Sequence, residues 1–154
     1  MYALDEFMTA VDQSDGIVCY GIGKRFHMFL REFQETPIIE KLRFCIDAYA
    51  ENQHIKTENR LLEVQGLSSL QTVRDHHYVL IITNLRYDQV VDDLTDKGLL
   101  QGIQVFCFTH LYGMLLEKKA MNKWMPDNLR ITNEQRIPKV IHYCWFGGKT
   151  IPNK

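Results

Sequence analysis

Short, largely apolar runs leave this chain few architectures. They are Ile17-Val18-Cys19-Tyr20, the stretch Leu42 to Ala48 around Phe44-Cys45-Ile46, Tyr78-Val79-Leu80-Ile81-Ile82, and residues 103–108, IQVFCF. A strand with one wet face alternates polar and apolar residues, whereas a strand covered on both faces does not. Each run is too short for a buried helix and is bounded by turn residues. Between them apolar residues recur at helical spacing: Phe26, Phe29, Leu30 and Phe33; then Val90, Val91 and Leu94; then Leu111, Met114 and Leu115, running on toward Trp124. Strands alternating with helices imply βαβ units and a mostly parallel, doubly wound α/β sheet.

The remaining stretches fill in around this frame. Leu4, Phe7, Met8 and Val11 predict an amphipathic helix over 2–13, broken by Ser14, Asp15 and Gly16. Thr36-Pro37 ends the helix that carries Phe33 or lies just beyond its end. Glu51 to Asn59 reads as a polar separator before a weak strand at Leu61–Val64, and residues 67–75 as a short helix. Thr83-Asn84 is expected to start a helix that Gly98 caps at its far end. Residues 125–136, MPDNLRITNEQR, are polar and read as a linker, so 1–124 forms one domain and the apolar run that resumes at Ile137 begins something else.

Composition excludes several function classes. With a formal net charge of -1 over 154 residues there is no basic face to expect, and so no nucleic-acid partner. No apolar run approaches the roughly 20 residues of a membrane-spanning helix, and the acidic N-terminus lacks the order of a signal peptide; a cytoplasmic protein is expected. Cys19, Cys45, Cys107 and Cys144 each sit alone in an apolar run, as buried small hydrophobes do. His54, His76 and His77 have no third ligand at metal-binding spacing. Asp88, Asp92, Asp93 and Asp96 read as the solvated face of a helix, and Ser14, Ser68 and Ser69 lack a nucleophile-elbow context. No catalytic constellation is visible in residues 1–130.

The feature with chemistry in it is Tyr20-Gly21-Ile22-Gly23-Lys24-Arg25-Phe26. A G-x-G directly after a strand and opening a helix supplies the first two glycines of a dinucleotide fingerprint. The first permits the tight turn, and the second lets a phosphate approach the backbone at the positive helix end. Lys24 and Arg25 would neutralise phosphate charge, Asp47 at the end of the second strand would reach a ribose hydroxyl, and Thr83 and Asn84 end another strand at the same sheet edge. The third fingerprint position is Phe26, which argues against a standard NAD site. The plainer alternative is that the glycines serve only the chain reversal, with Asp47 and Asn84 as helix caps. Over roughly 16–110 the chain also resembles the small nucleotide- or sugar-recognition Rossmann-like domains attached to bacterial sugar-modifying enzymes, best at YGIGKRF.

The last stretch, Ile137-Pro138-Lys139-Val140-Ile141-His142-Tyr143-Cys144-Trp145-Phe146-Gly147-Gly148-Lys149, combines a proline, an apolar strand and a double-glycine turn. On residue chemistry alone it delivers backbone amides and aromatic faces to a turn, although Trp145 and His142 serve equally as core. The pattern P-K-x-I-H-x-x-W-F-G-G resembles the opening strand of the DXD-type glycosyltransferases of capsular and exopolysaccharide synthesis. That resemblance implies a GT-A catalytic domain of which 137–154 is the start, with His142, Trp145, Phe146 and Gly147 lining the nucleotide-sugar donor site. It also implies a Mg²⁺ or Mn²⁺ ion held by a D-x-D pair further along such enzymes.

The sequence therefore reads as an accessory domain that binds nucleotide or nucleotide-sugar, followed by a linker and an isolated strand of a truncated GT-A domain. As a piece without its C-terminal catalytic domain it is expected to hold no cofactor and to be inactive alone. Two other readings stand beside it: a non-catalytic interaction module of a polysaccharide-biosynthesis complex, and an NAD-binding oxidoreductase domain, which Phe26 disfavours.

Overall fold

A computed structural model of the chain describes residues 4–57 and 60–124. The apolar runs become strands of one sheet: β1 (Ile17–Tyr20), β2 (Leu42–Ile46), β4 (Leu61–Gln65), β5 (Val79–Ile82) and β6 (Val105–Cys107). A further strand, β3 (Gln53–Lys56), completes a six-stranded sheet in the order β3-β4-β2-β1-β5-β6. All neighbours are parallel except β3 and β4, which form an antiparallel hairpin. The helices are α1 (Leu4–Gln13), α2 (Lys24–Phe33), α3 (Pro37–Glu40), α4 (Leu70–Asp75), α5 (Tyr87–Asp96) and α6 (Phe108–Trp124), with a 3₁₀ turn at Leu67–Ser69 before α4.

The sheet is covered on both faces, which is why β1 and β5 are buried at every position. Alternate residues of β1 divide between the two sides, as a period of two requires. Ile17 and Cys19 join Phe7 of α1, Phe26, Phe29 and Phe33 of α2, Ile38 of α3 and Leu111 of α6 in one core. Val18 and Tyr20 join Leu70 and Val73 of α4 and Leu94 of α5 in the other. This is a doubly wound α/β layer arrangement, compatible with a Rossmann-like fold. No helix among the described residues is long and apolar enough to cross a membrane.

Two local expectations are corrected, and that for Pro37 is extended. The polar stretch 51–59 is not only a separator, because Gln53–Lys56 lies along β4 with Ile55 opposite Leu62. Pro37 does not merely follow a helix; it opens the four-residue α3 at its first turn, where its missing N–H costs nothing. Thr83-Asn84 does not start a helix, since α5 begins at Tyr87. At the other end of α5 the expected cap is present. Gly98 has φ +68, its N–H bonds to the Thr95 carbonyl at 2.8 Å, and the N–H of Leu99 bonds to that of Leu94 at 2.9 Å.

Candidate functional site

The strand order reverses at β1. The chain runs outward from β1 to β2 and β4, then crosses back to place β5 on the other flank of β1. Tyr20, Ile46 and Ile82 end their strands side by side, Tyr20 pairing with both of the others. The loops that leave these ends diverge, and in open α/β sheets ligands bind in the crevice that opens between them.

The loop after β1 is held open by its neighbours. Gly21 takes φ +92, a conformation an L side chain rarely adopts. Its N–H donates to the Ile46 carbonyl at 2.8 Å, and its own carbonyl accepts the Thr83 hydroxyl at 2.7 Å. That hydroxyl also lies 2.9 Å from the Tyr20 carbonyl, which the Thr83 N–H reaches at 2.9 Å. Thr83 is buried and stitches the ends of β1 and β5 together. Gly23 precedes α2 with no side-chain cap, and a Cβ built on it would meet nothing within 4 Å. The first turn of α2 contains no acid and begins with Lys24 and Arg25. The positive end of that helix is therefore reinforced rather than compensated, as suits an anion.

These elements enclose a cleft of about 490 Å³. Gly21, Gly23, Lys24 and Arg25 line it from the β1–α2 turn, Asp47 from the end of β2, and Thr83 and Asn84 from the end of β5. Every residue picked out at this sheet edge from the sequence is thus brought to one cavity. The sequence reading missed the apolar part of the lining, Ile22, Met28 and Leu85. Met28 follows Lys24 by one helical turn, a spacing that could have identified it.

The polar groups are only partly committed. One carboxylate oxygen of Asp47 accepts the Tyr49 N–H at 2.9 Å; the other makes no hydrogen bond among the described residues. The side-chain oxygen of Asn84 accepts the Arg86 N–H at 2.9 Å, shaping the turn into α5 and leaving its amide donors. Asp47 and Asn84 are therefore turn-formers, not helix caps. At the end of β1, burial in the second core raises the pKa of Tyr20, and the Asp47 and Asp93 carboxylates raise it further, so the phenol stays neutral. Phe26 is wholly buried in the core, so the third fingerprint position packs rather than binds.

Elsewhere the expectations separate. Among the described residues no group of three His, Cys, Asp or Glu side chains could hold a metal ion. Cys19, Cys45 and Cys107 are buried thiols. The linker 125–136 and the strand carrying His142, Trp145, Phe146 and Gly147 lie outside the described residues. Comparison of the chain with protein-family models, with curated proteins and with solved structures gave no match.

Proposed function

We propose that this chain binds a nucleotide or nucleotide-sugar in the cleft at the β1–β5 switch point, as the accessory domain of a polysaccharide-biosynthesis glycosyltransferase. The observation that carries the binding is the uncapped, acid-free N-terminus of α2 opening beside a bare Gly23 into a cleft that also receives Asp47 and Thr83-Asn84. The phosphates would sit over the Gly23 turn, with Lys24 and Arg25 supplying counter-charge. The free oxygen of Asp47 would accept a ribose hydroxyl, and the Asn84 amide would donate to the sugar or phosphate. Ile22, Met28 and Leu85 would give the base an apolar wall.

The transferase part of the reading is supported by the sequence P-K-V-I-H-Y-C-W-F-G-G at 138–148. On that reading His142, Trp145, Phe146 and Gly147 belong to the donor pocket of a GT-A catalytic domain that works with Mg²⁺ or Mn²⁺, and the setting is the cytoplasm, where nucleotide-sugars are made. Residues 137–154 contain no Asp or Glu. They offer no carboxylate oxygens for such an ion, so residues 1–154 should bind donor without transferring sugar.

Calorimetry with UDP-sugars, GDP-mannose, the free nucleotides and NAD tests the proposal. Saturable binding of nucleotides or nucleotide-sugars, lost in Gly23→Val, supports it. Binding of NAD alone would move the chain to the oxidoreductase reading, and no binding at all would leave the interaction module.

A further inference from the structure

A second stripe of α2 faces away from the cleft. His27, Leu30 and Arg31 share one flank of the helix and form a wall of a groove of about 570 Å³. Ile39 and Glu40 of α3 close one end, and the β3–β4 hairpin supplies the facing wall through Lys56, Thr57 and Arg60. No residue lines both this groove and the cleft.

The hairpin wall is a built one. The Thr57 N–H and hydroxyl each donate to the Arg60 carbonyl at 2.9 Å, and the Arg60 guanidinium donates to the Ile39 carbonyl of α3. Arg60 is half-buried, and burial, with Arg43 nearby, pulls its pKa down. A guanidinium carries five donors, and a carbonyl is the only partner found for those of Arg60 among the described residues.

Among the described lining residues cations outnumber acids: Arg31, Lys56 and Arg60 face the groove beside Glu40, and none of these four makes an ion pair among the described residues. Solvated surface cations ordinarily spread apart. Cations gathered round one concavity repel each other, and an anion between them reverses the sign of that interaction. Leu30 and Ile39 leave part of the wall apolar, and the volume lies within the range of small-molecule sites.

We propose that this groove is a second ligand site, taking a small dianion with an apolar group, of the phosphomonoester class. The phosphate would face Arg31, Lys56 and Arg60, and Leu30 and Ile39 would receive the organic part.

Phenyl phosphate titrated into the ¹⁵N-labelled full chain, followed by amide chemical shifts, is the test. The expected result is saturable shifts clustered at 27–34 and in the hairpin around Lys56, Thr57 and Arg60. Arg31→Gln and Arg60→Gln should each weaken binding about tenfold, while Lys97→Gln, just beyond α5, should not. Arg31 is exposed, so its variant keeps the test valid if Arg60→Gln fails to fold. Phenol binding as well as phenyl phosphate, shifts confined to 21–25 and 83–85, unchanged affinity in Arg31→Gln, or no saturable shifts would each overturn the assignment.

Discussion

The hydroxyl of Thr83, at the end of β5, donates to the carbonyl of Gly21, at the end of β1, over 2.7 Å. The two loops that flank the cleft are thereby tied at their roots. Thr83→Val keeps the shape and removes the donor, leaving the Gly21 carbonyl without this partner. Urea denaturation should show a loss of about 1–3 kcal/mol, and Thr83→Ser should recover most of it. A Val variant as stable as the parent would show that the tie contributes nothing.

Gly21 and Gly23 should respond in opposite ways. Gly21 has φ +92 and a Cβ there would come 3.4 Å from the Thr83 hydroxyl, so Gly21→Ala should cost stability, on the order of 1–3 kcal/mol. Gly23 has φ -76 and open space around its missing Cβ, so Gly23→Val should melt close to the parent. Its side chain projects where a phosphate would lie, and nucleotide affinity should disappear. Equal nucleotide affinity in Gly23→Val would reduce the turn to a chain reversal.

Cys19 and Cys45 are register partners on adjacent strands, both without exposed surface. Burial pushes the Cys45 thiol up to about 12, and burial, then Cys45, pushes that of Cys19 well up from its ordinary value. A raised thiol pKa means that the unfolded chain releases the proton first. Stability from these groups is therefore complete below the unfolded pKa near 9.0 and falls as pH rises toward 12. The slope is at most about 1.4 kcal/mol per pH unit for each thiol. Urea midpoints measured at pH 8, 9 and 10 should fall, and more gently in Cys19→Ala/Cys45→Ala. A parent and double variant with parallel pH profiles would contradict this.

Deletion of residues 137–154 should leave a cooperative melt and raise solubility. The described residues of both cores lie between 4 and 115, and an apolar segment left unpaired promotes association. Loss of the cooperative transition would place the tail in the domain's core.

Much of the fold was legible because its central strands are covered twice. Val79-Leu80-Ile81-Ile82 needs no periodicity to be recognised, since each residue has a helix to face. Gln53–Lys56 escaped notice for the opposite reason: it is an edge strand, mostly exposed, and its polar residues read as loop until β4 is beside it. The start of α5 was misplaced because Thr and Asn are good caps in sequence, whereas here Thr83 is bonded across to β1 and Asn84 to Arg86. The cleft was legible because parallel topology sends every β-to-α turn to one sheet edge. The groove beside α2 was not, because one of its walls is made by that unrecognised hairpin.

Phe7 of α1 packs edge-on against Phe106 of β6, their ring centres 5.2 Å apart. One residue is made near the start of the chain and the other near the end of the described domain. While a ribosome is still short of Phe106, Phe7 lacks its edge-on partner and the aromatic core remains open. Synthesis thus delivers every strand of the described sheet before the core can close, and closure depends on contacts distant in sequence, which fold slowly. Until then the exposed phenylalanines of α1 and α2 are the surface on which a chaperone, or another nascent chain, would act.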